Sequence, residues 1–225
     1  PGVLTNLVSG DDVILAATAT YNDAEAGAGK TITVEYSISG ADAGEYLAPV
    51  DFVTTAGEIS KATLTVTADD KTKMYGEFNP ELTFAYSGWV NGVEPIDVAP
   101  SISTTIDDLS NAGTYAEAIT LTGGSDNNYT LNLVAGDFEI TKASLDVIAH
   151  NKTKVYGQSN PELTFEYDGW MNGVEAIDVM PTITTSINNF SDAGDHYGVI
   201  NLTGGSDNNY ELNFMAGDFS ITKAQ

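Results

Sequence analysis

Aspartate and asparagine side chains in two identical loops are the residues of this sequence best suited to hold a ligand. Asp126, Asn128, Asp207 and Asn209 lie in two copies of the run Gly-Gly-Ser-Asp-Asn-Asn-Tyr. Calcium takes six to eight oxygen ligands from such side chains and from backbone carbonyls. The same side chains also fold back onto the backbone and stabilise turns. The sequence therefore offers these four residues as candidate calcium ligands, with a capped turn as the alternative, and it predicts no other cofactor.

The two tryptophans, Trp89 and Trp170, are the second candidate for ligand binding. An exposed indole face can stack on a sugar ring, which would make both residues part of a glycan site. A large aromatic side chain in a small β domain also serves as an anchor of the core. Exposed indoles favour the glycan site, and buried indoles favour the core.

These candidates occur twice because the chain repeats itself. The run Tyr75 to Phe84 (YGEFNPELTF) returns as Tyr156 to Phe165 (YGQSNPELTF), and about 50 of 81 aligned positions are identical without a gap. Self-similarity at a fixed period indicates tandem domains. We predict a first repeat at 62–142 and a second repeat at 143–225, preceded by a divergent front segment at 1–61 that is truncated at its amino end.

Catalytic chemistry is not indicated by the residues of either repeat. His150 and His196 stand where the first repeat has Asp69 and Tyr115, and the chain has no cysteine. Carboxylates are present throughout, so their mere presence does not identify a glycosidase pair, which needs a defined separation across a cleft. We predict that the protein is not an enzyme.

Short alternating segments predict a mainly β fold. Leu64, Val66 and Ala68 alternate with threonines, a period of two that is typical of strands. We predict three small antiparallel β domains in tandem, β-grasp-like or immunoglobulin-like, each with at most one short helical turn. Residues 91–98 break the alternation and are predicted to form that helical turn or, as the alternative, a wide loop. Two lysines on one strand face, Lys71 and Lys73, predict an edge strand protected by charge or a cationic binding strip.

The joint between the repeats is short, and the chain is strongly acidic. Thr141-Lys142-Ala143 contains no flexible run, which favours stiffly connected domains. Thirty-two acidic residues against eight lysines give a net charge of −24. Such a surface repels phosphate groups, and no apolar run is long enough to span a bilayer. We therefore predict neither a nucleic-acid partner nor membrane insertion.

The repeated motifs carry a family resemblance. The Tyr-Gly pairs, the Asn-Pro-Glu-Leu-Thr-Phe runs, the Gly-Trp-x-Asn-Gly turns and the closing Ile-Thr-Lys-Ala runs resemble the MBG domain of the YGX type. The front segment, with Gly29 to Val34 and Ser39 to Tyr46, resembles the YDG domain without its Tyr-Asp-Gly opening. The resemblance implies an extracellular array in a large secreted or surface-attached bacterial adhesin or haemagglutinin-like protein.

Two functions from different classes follow from this resemblance and from the repeat. The first is a structural stalk or spacer of a bacterial surface adhesin, whose partners are the neighbouring repeats of the same parent chain. The second is a carbohydrate- or mucin-binding module that gains affinity from repeated weak sites.

Overall fold

The protein is mainly β, as predicted. Its structure, a computed structural model, describes residues 4–90, 92–173 and 175–225. Within those ranges the chain forms strands and one 3-10 turn, Ala43–Glu45. No helix there has the length and apolar character needed to cross a membrane.

The strands follow the repeat. The front segment contains β1 (Ile14–Tyr21), β2 (Gly27–Ser39) and β3 (Phe52–Ile59). The first repeat contains β4 (Ala62–Ala68), β5 (Lys71–Met74), β6 (Phe84–Ser87), β7 (Ser101–Thr104), β8 (Gly113–Thr122), β9 (Tyr129–Val134) and β10 (Gly136–Thr141). The second repeat contains β11 (Ala143–Ala149), β12 (Lys152–Val155), β13 (Phe165–Asp168), β14 (Thr182–Thr185), β15 (Gly194–Thr203), β16 (Tyr210–Met215) and β17 (Gly217–Thr222).

The chain divides into two compact units that do not follow the repeat boundaries. Unit 1 comprises Pro1–Val66, Tyr86–Ser101 and Thr122–Leu133. Unit 2 comprises Thr67–Ala85, Ile102–Leu121 and Val134–Gln225. Unit 1 thus contains the front segment, unit 2 contains the whole second repeat, and the first repeat contributes to both.

Unit 1 contains the antiparallel front sheet, in the order β1-β2-β3. It also contains most of a second three-stranded sheet, in the order β6-β4-β9. Leu64 and Val66 of β4 are fully buried, as their alternation with threonine predicts. In the described part of the front segment, by contrast, no apolar side chain is fully buried.

The second repeat, which lies in unit 2, has two sheets around one core. Their strand orders are β13-β11-β16 and β12-β17-β15-β14. The core takes side chains from both sheets, because alternate residues of each strand turn toward the other sheet. Its buried members are Val147, Ala149, Ile187, Ile200, Leu202, Phe219 and Ile221.

The prediction of purely antiparallel domains is wrong for the repeats. In the second repeat β11 pairs with β16 and β12 pairs with β17 in parallel, while the remaining pairs are antiparallel. In the first repeat β5 and β10 are also parallel. Period-two alternation is the same in both arrangements, so the sequence pattern does not reveal the direction of pairing. These pairings leave both β-grasp-like and immunoglobulin-like topologies as predictions.

The run Ala-Gly-Asp-Phe, at 135–138 and 216–219, ends with the start of the last strand of each repeat. In the second repeat two neighbouring strands pass from one sheet to the other at this place. The chain passes from β11 to β12 and, alongside, from β16 to β17. At this corner a Cβ on Gly217 would lie 2.7 Å from the carbonyl oxygen of Ala149. Only glycine allows two backbones to approach so closely.

The loop after Trp89 contains no helical turn in its described part. Residues 92–98 are irregular, and Val98 forms an isolated antiparallel bridge with Ser125. Asn91, which belongs to the Gly-Trp-x-Asn-Gly turn, lies outside the described residues. The described part of this segment is therefore a loop with bends and one bridge, the alternative that the sequence left open beside a helical turn.

One lysine of each Lys-Thr-Lys run points into the domain, which corrects the prediction of a solvent-facing lysine strip. Strands β5 and β12 are edge strands. However, Lys73 and Lys154 are only 5% and 8% exposed. Lys154 Nζ donates to Asn160 Oδ1 (2.8 Å) and to the Asn188 carbonyl (2.7 Å). The ammonium group therefore anchors the loop before β15, and the asparagine of the Asn-Pro-Glu-Leu-Thr-Phe motif helps to hold it.

We predict that Lys154→Met destabilises the second repeat by about 2 kcal/mol, because two acceptors in part-buried hydrogen bonds lose their charged donor. The matched control is Lys152→Met. Lys152 is half-buried and its Nζ makes one hydrogen bond, to the hydroxyl of Thr164 at 2.7 Å, so its loss should cost less than about 1 kcal/mol. Urea unfolding followed by circular dichroism measures both, and equal effects would contradict the anchoring role.

Candidate functional site

The two Asp-Asn-Asn loops are capped turns. In the second repeat Asp207 Oδ1 accepts hydrogen bonds from the backbone N–H groups of Asn209 (2.7 Å) and Tyr210 (3.1 Å). Asp126 makes the same two bonds in the first repeat. This carboxylate fixes the loop shape by binding orphan amides, as an Asx turn does. The loop is thereby rigid enough to present the asparagine that follows.

That asparagine reaches the domain that precedes it in the chain. In unit 2, Asn209 Oδ1 accepts the N–H of Ala112 (2.9 Å), and its Nδ2 donates to Asn111 Oδ1 (3.1 Å). In unit 1, Asn128 Oδ1 accepts the N–H of Ala26 at 2.8 Å. A repeat therefore contacts a loop of its predecessor in the same way at both junctions, although the front segment and the first repeat differ in sequence.

A lysine makes a second contact that both junctions share. Lys142 Nζ donates to the carbonyl of Asp207 (2.7 Å), and Lys61 Nζ donates to the carbonyl of Asp126 (2.7 Å). Each lysine immediately precedes the first strand of the repeat that it contacts. The link is two residues, Ser60 and Lys61, at the first junction and the single residue Lys142 at the second. At both junctions the side chain of the lysine in the link binds the next domain.

Within unit 2, Tyr75 adds a contact that is specific to the junction of the two repeats. Its ring packs edge-on against Tyr210, with centroids 5.4 Å apart. Its hydroxyl donates to Glu175 Oε2 (3.1 Å), while the hydroxyl of Tyr210 donates to Glu175 Oε1 (3.1 Å). Tyr75 is only 4% exposed. A buried phenol needs a hydrogen-bond partner, and here one carboxylate serves both tyrosines.

Gly76 lets the second repeat come close at the same place. Its φ is +80°, a conformation that favours glycine. A Cβ on Gly76 would lie 2.5 Å from Met171 Cβ and 3.2 Å from Asn172 Nδ2. The counterpart, Gly157, has φ +86° and no atom within 4 Å of a built Cβ. The backbone conformation is therefore common to both repeats, whereas the close contact belongs to the junction.

The junction thus joins two surfaces, which we name by their order in the chain. The trailing face of the first repeat consists of Tyr75, Gly76, Asn111, Ala112 and Lys142. The receiving face of the second repeat consists of Met171, Glu175, Asp207, Asn209 and Tyr210.

Unit 1 has a cleft at the corresponding place. It has a volume of about 300 Å³ and is lined on one side by Val90, Glu94 and Tyr129. These are the sequence counterparts of Met171, Glu175 and Tyr210, which contact Tyr75 and Gly76 in unit 2. The front segment has no Tyr-Gly pair. The receiving face of a repeat is therefore a socket that the Tyr-Gly pair of a preceding repeat fills.

Comparison with protein families identifies the repeats. The profile of the family described as MBG domain (YGX type) matches residues 64–139 and 145–220. The chain belongs to this MBG family. The profile of the YDG domain matches residues 2–55. The family resemblance seen in the sequence is confirmed for both parts of the chain. No curated protein and no solved structure gives a significant match.

The predicted calcium ligands of the MBG repeats all take part in turns or junctions. Asp126 and Asp207 cap their loops, and Asn128 and Asn209 bind the preceding domain. Across residues 4–90, 92–173 and 175–225, no three His, Cys, Asp or Glu side chains are grouped so that they could hold a metal ion. Calcium binding by these residues stays a hypothesis.

Both tryptophans are half-buried in aromatic clusters beneath the receiving face. The Trp170 ring lies 5.4 Å from Tyr167 and 5.3 Å from Tyr210, measured between centroids. Trp89 lies in an equivalent cluster with Tyr86 and Tyr129. The clusters connect each tryptophan with the tyrosine that lines the socket. Sugar stacking by Trp89 and Trp170 stays a prediction.

The two histidines contact residues of their own repeat. His150 Nδ1 lies 2.9 Å from the hydroxyl of Thr164, and His196 Nε2 lies 2.9 Å from the carbonyl of Asp192. Tyr115, which replaces His196 in the first repeat, also bonds a carbonyl four residues earlier, that of Asn111. Histidine and tyrosine thus fill the same local role in the two MBG repeats.

Sequence reasoning missed the three residues that define the junction: Tyr75, Gly76 and Glu175. Their motifs were visible, since the Tyr-Gly pair and the glutamate recur at the 81-residue period. Recurrence alone does not separate a residue that packs inside its own repeat from one that packs on the next repeat.

We predict that Gly76→Ala destabilises the protein more than Gly157→Ala does. Both changes force alanine into a left-handed conformation, at a cost of about 1 kcal/mol. At position 76 the new methyl group also meets Met171, which adds roughly 1–3 kcal/mol of overpacking. Urea unfolding of the two variants measures the difference, and equal costs would show that Met171 yields without strain.

We predict that the folded protein loses stability at alkaline pH, because the two tyrosines of the junction ionise there. Burial, more than any other cause, raises the pKa of Tyr210 to about 12 and also raises the pKa of Tyr75, and the Glu175 carboxylate raises both further. The folded state thus favours the neutral phenols, so their contribution is full below pH 10 and is lost as pH rises toward 12.

Unfolding midpoints measured at pH 9, 10, 11 and 12 test this expectation. Tyr75→Phe should flatten the decline between pH 10 and 12, because it removes one of the two phenols that face Glu175. Tyr156→Phe, at the exposed copy of the position, is the matched control. A decline that is equally steep in wild type and Tyr75→Phe would contradict the expectation.

Proposed function

We propose that the chain is a spacer segment of a large bacterial surface adhesin, located outside the cell, in which consecutive domains hold one another at fixed separations. Such a segment has no ligand of its own. Its role is to keep the parts of the parent protein that it connects apart.

The junction between the two repeats is the observation that carries this proposal. Domains connected by flexible linkers move independently unless the interface between them is well packed. Here a one-residue link is combined with a buried tyrosine, a close glycine contact and the amide contacts of Asn209. Lys142 adds a charge-assisted bond to the carbonyl of Asp207. These contacts support a fixed junction, which a spacer needs and a tethered binding module does not.

The net charge supports the same function. At −24, the surface repels other copies of the chain and other anionic polymers. Repulsion of this kind favours a segment that stays separate from its surroundings. It gives no support to a nucleic-acid partner.

Distance measurements by pulsed electron paramagnetic resonance test the fixed junction. The chain has no cysteine, so spin labels can be attached at Glu81→Cys and Glu162→Cys, two exposed and equivalent positions of consecutive repeats. We expect a narrow distance distribution that broadens when Tyr75→Ala is added. A distribution that is already broad without Tyr75→Ala would refute the spacer with fixed junctions.

The glycan- or mucin-binding alternative is tested on the same protein. A multimerised form of the chain is applied to a glycan and mucin panel. The spacer proposal expects no saturable binding. Binding that is lost in the double variant Trp89→Ala, Trp170→Ala, with the circular dichroism spectrum unchanged, would replace the spacer by a lectin-like module.

A further inference from the structure

The second repeat carries its own copy of the trailing face, and this copy is exposed. Tyr156, the counterpart of Tyr75, is 43% exposed instead of 4%. Gly157, Asp192, Ala193 and Lys223 are exposed as well. Gly157 has nearly the same φ angle as Gly76, +86° against +80°, so the backbone of the Tyr-Gly pair makes the same turn in both repeats.

We propose that this exposed face is a docking surface for the receiving face of another MBG repeat. The inference rests on the proposed function, because it extends the junction seen between the two repeats to a second place in the chain. It commits to one partner, a repeat that has a glutamate at the position of Glu175 and an Asp-Asn-Asn loop.

Each part of the exposed face has a partner on a receiving face. Tyr156 supplies the phenol that would donate to the glutamate and pack on the socket tyrosine. Gly157 leaves room for the side chain at the position of Met171. Lys223 is placed to donate to the loop carbonyl, as Lys61 and Lys142 do. Asp192 replaces Asn111, and its carboxylate would accept a hydrogen bond from the asparagine Nδ2, as Asn111 Oδ1 does.

The cleft in unit 1 supports the role of the Tyr-Gly pair as the specific element. The junction there retains the lysine and asparagine contacts. It lacks a Tyr-Gly pair, and a cleft of about 300 Å³ lies beside Glu94 and Tyr129. The lysine and asparagine contacts thus form whether the preceding domain is the front segment or an MBG repeat. The socket is filled only when the preceding domain is a repeat of the YGX type. The exposed Tyr156-Gly157 pair therefore matches the socket on the receiving face of another MBG repeat.

A second copy of the present chain is a poor partner in trans. The receiving face of its second repeat is covered by the first repeat in unit 2. In unit 1, the Asp-Asn-Asn loop of its first repeat contacts the front segment. The docking surface therefore predicts association with a repeat whose receiving face is free, as when that repeat follows directly in the chain.

The experiment uses the full chain extended by a third repeat. A copy of residues 145–223 is placed after Gln225, so that Lys223-Ala224 forms a joint like Lys142-Ala143. Spin labels are placed at Glu162→Cys and at the equivalent glutamate of the added repeat. We expect a distance distribution that coincides with the one between positions 81 and 162, and that broadens on Tyr156→Ala.

Gly157→Ala gives an independent readout. In the original chain it should cost only the strain of the left-handed backbone, whereas in the extended chain it should lower the urea midpoint further, as Gly76→Ala does. Asp192→Asn should leave the distance distribution of the extended chain unchanged.

The outcomes separate this inference from the proposed function. A broad distribution between 162 and the added repeat, together with a narrow one between 81 and 162, overturns the docking surface and leaves the spacer intact. A broad distribution between 81 and 162 refutes the spacer itself. Where Gly76→Ala costs more than Gly157→Ala in the original chain, an effect of Gly157→Ala that is equal in both chains also overturns the docking surface.

Discussion

The junction depends on one half-buried carboxylate, that of Glu175, which two tyrosines share. Glu175 accepts hydrogen bonds from Tyr75 of the first repeat and Tyr210 of the second, each at 3.1 Å. A phenol that is shielded from water without a partner is costly, so burying Tyr75 requires Glu175 at that position. The same contact requires Gly76, because any side chain there meets Met171. The Tyr-Gly pair is therefore a device for joining domains.

Other residues of the repeat hold the groups of this junction in position. The Asp207 carboxylate shapes the loop that presents Asn209, and Trp170 packs against Tyr210 from within the domain. Farther inside, Lys154 and Asn160 hold the loop before β15 through its carbonyl groups. A domain of this size has a small core, and hydrogen bonds to loop carbonyls supply order that the core does not. Several polar residues of the repeat thus serve to hold its loops in place.

Several polar residues that the sequence suggested for ligand binding or for the surface make hydrogen bonds within the protein instead. The Asp-Asn-Asn loops resemble metal-binding loops in composition, yet their oxygens bind backbone amides and the preceding domain. The Lys-Thr-Lys runs suggest a surface strip, yet Lys73 and Lys154 lie inside. In both cases a local sequence pattern identifies the donor and acceptor groups, and their partners come from residues far away in the chain.

The repeat, the mainly β fold and the family could be predicted from the sequence, because they depend on local alternation and on motifs that can be compared directly. Leu64, Val66 and Ala68 lie in β4, as their alternation with threonine predicted, and Lys71 and Lys73 lie in the edge strand β5. Three features emerge only in the folded protein: β11 and β16 run parallel, Lys154 faces inward, and Tyr75 belongs to a junction while Tyr156 is exposed. Tyr75 and Tyr156 have nearly the same local sequence. They differ in their neighbours: Tyr75 contacts Glu175 of the next repeat, a hundred positions further along the chain, and Tyr156 is exposed.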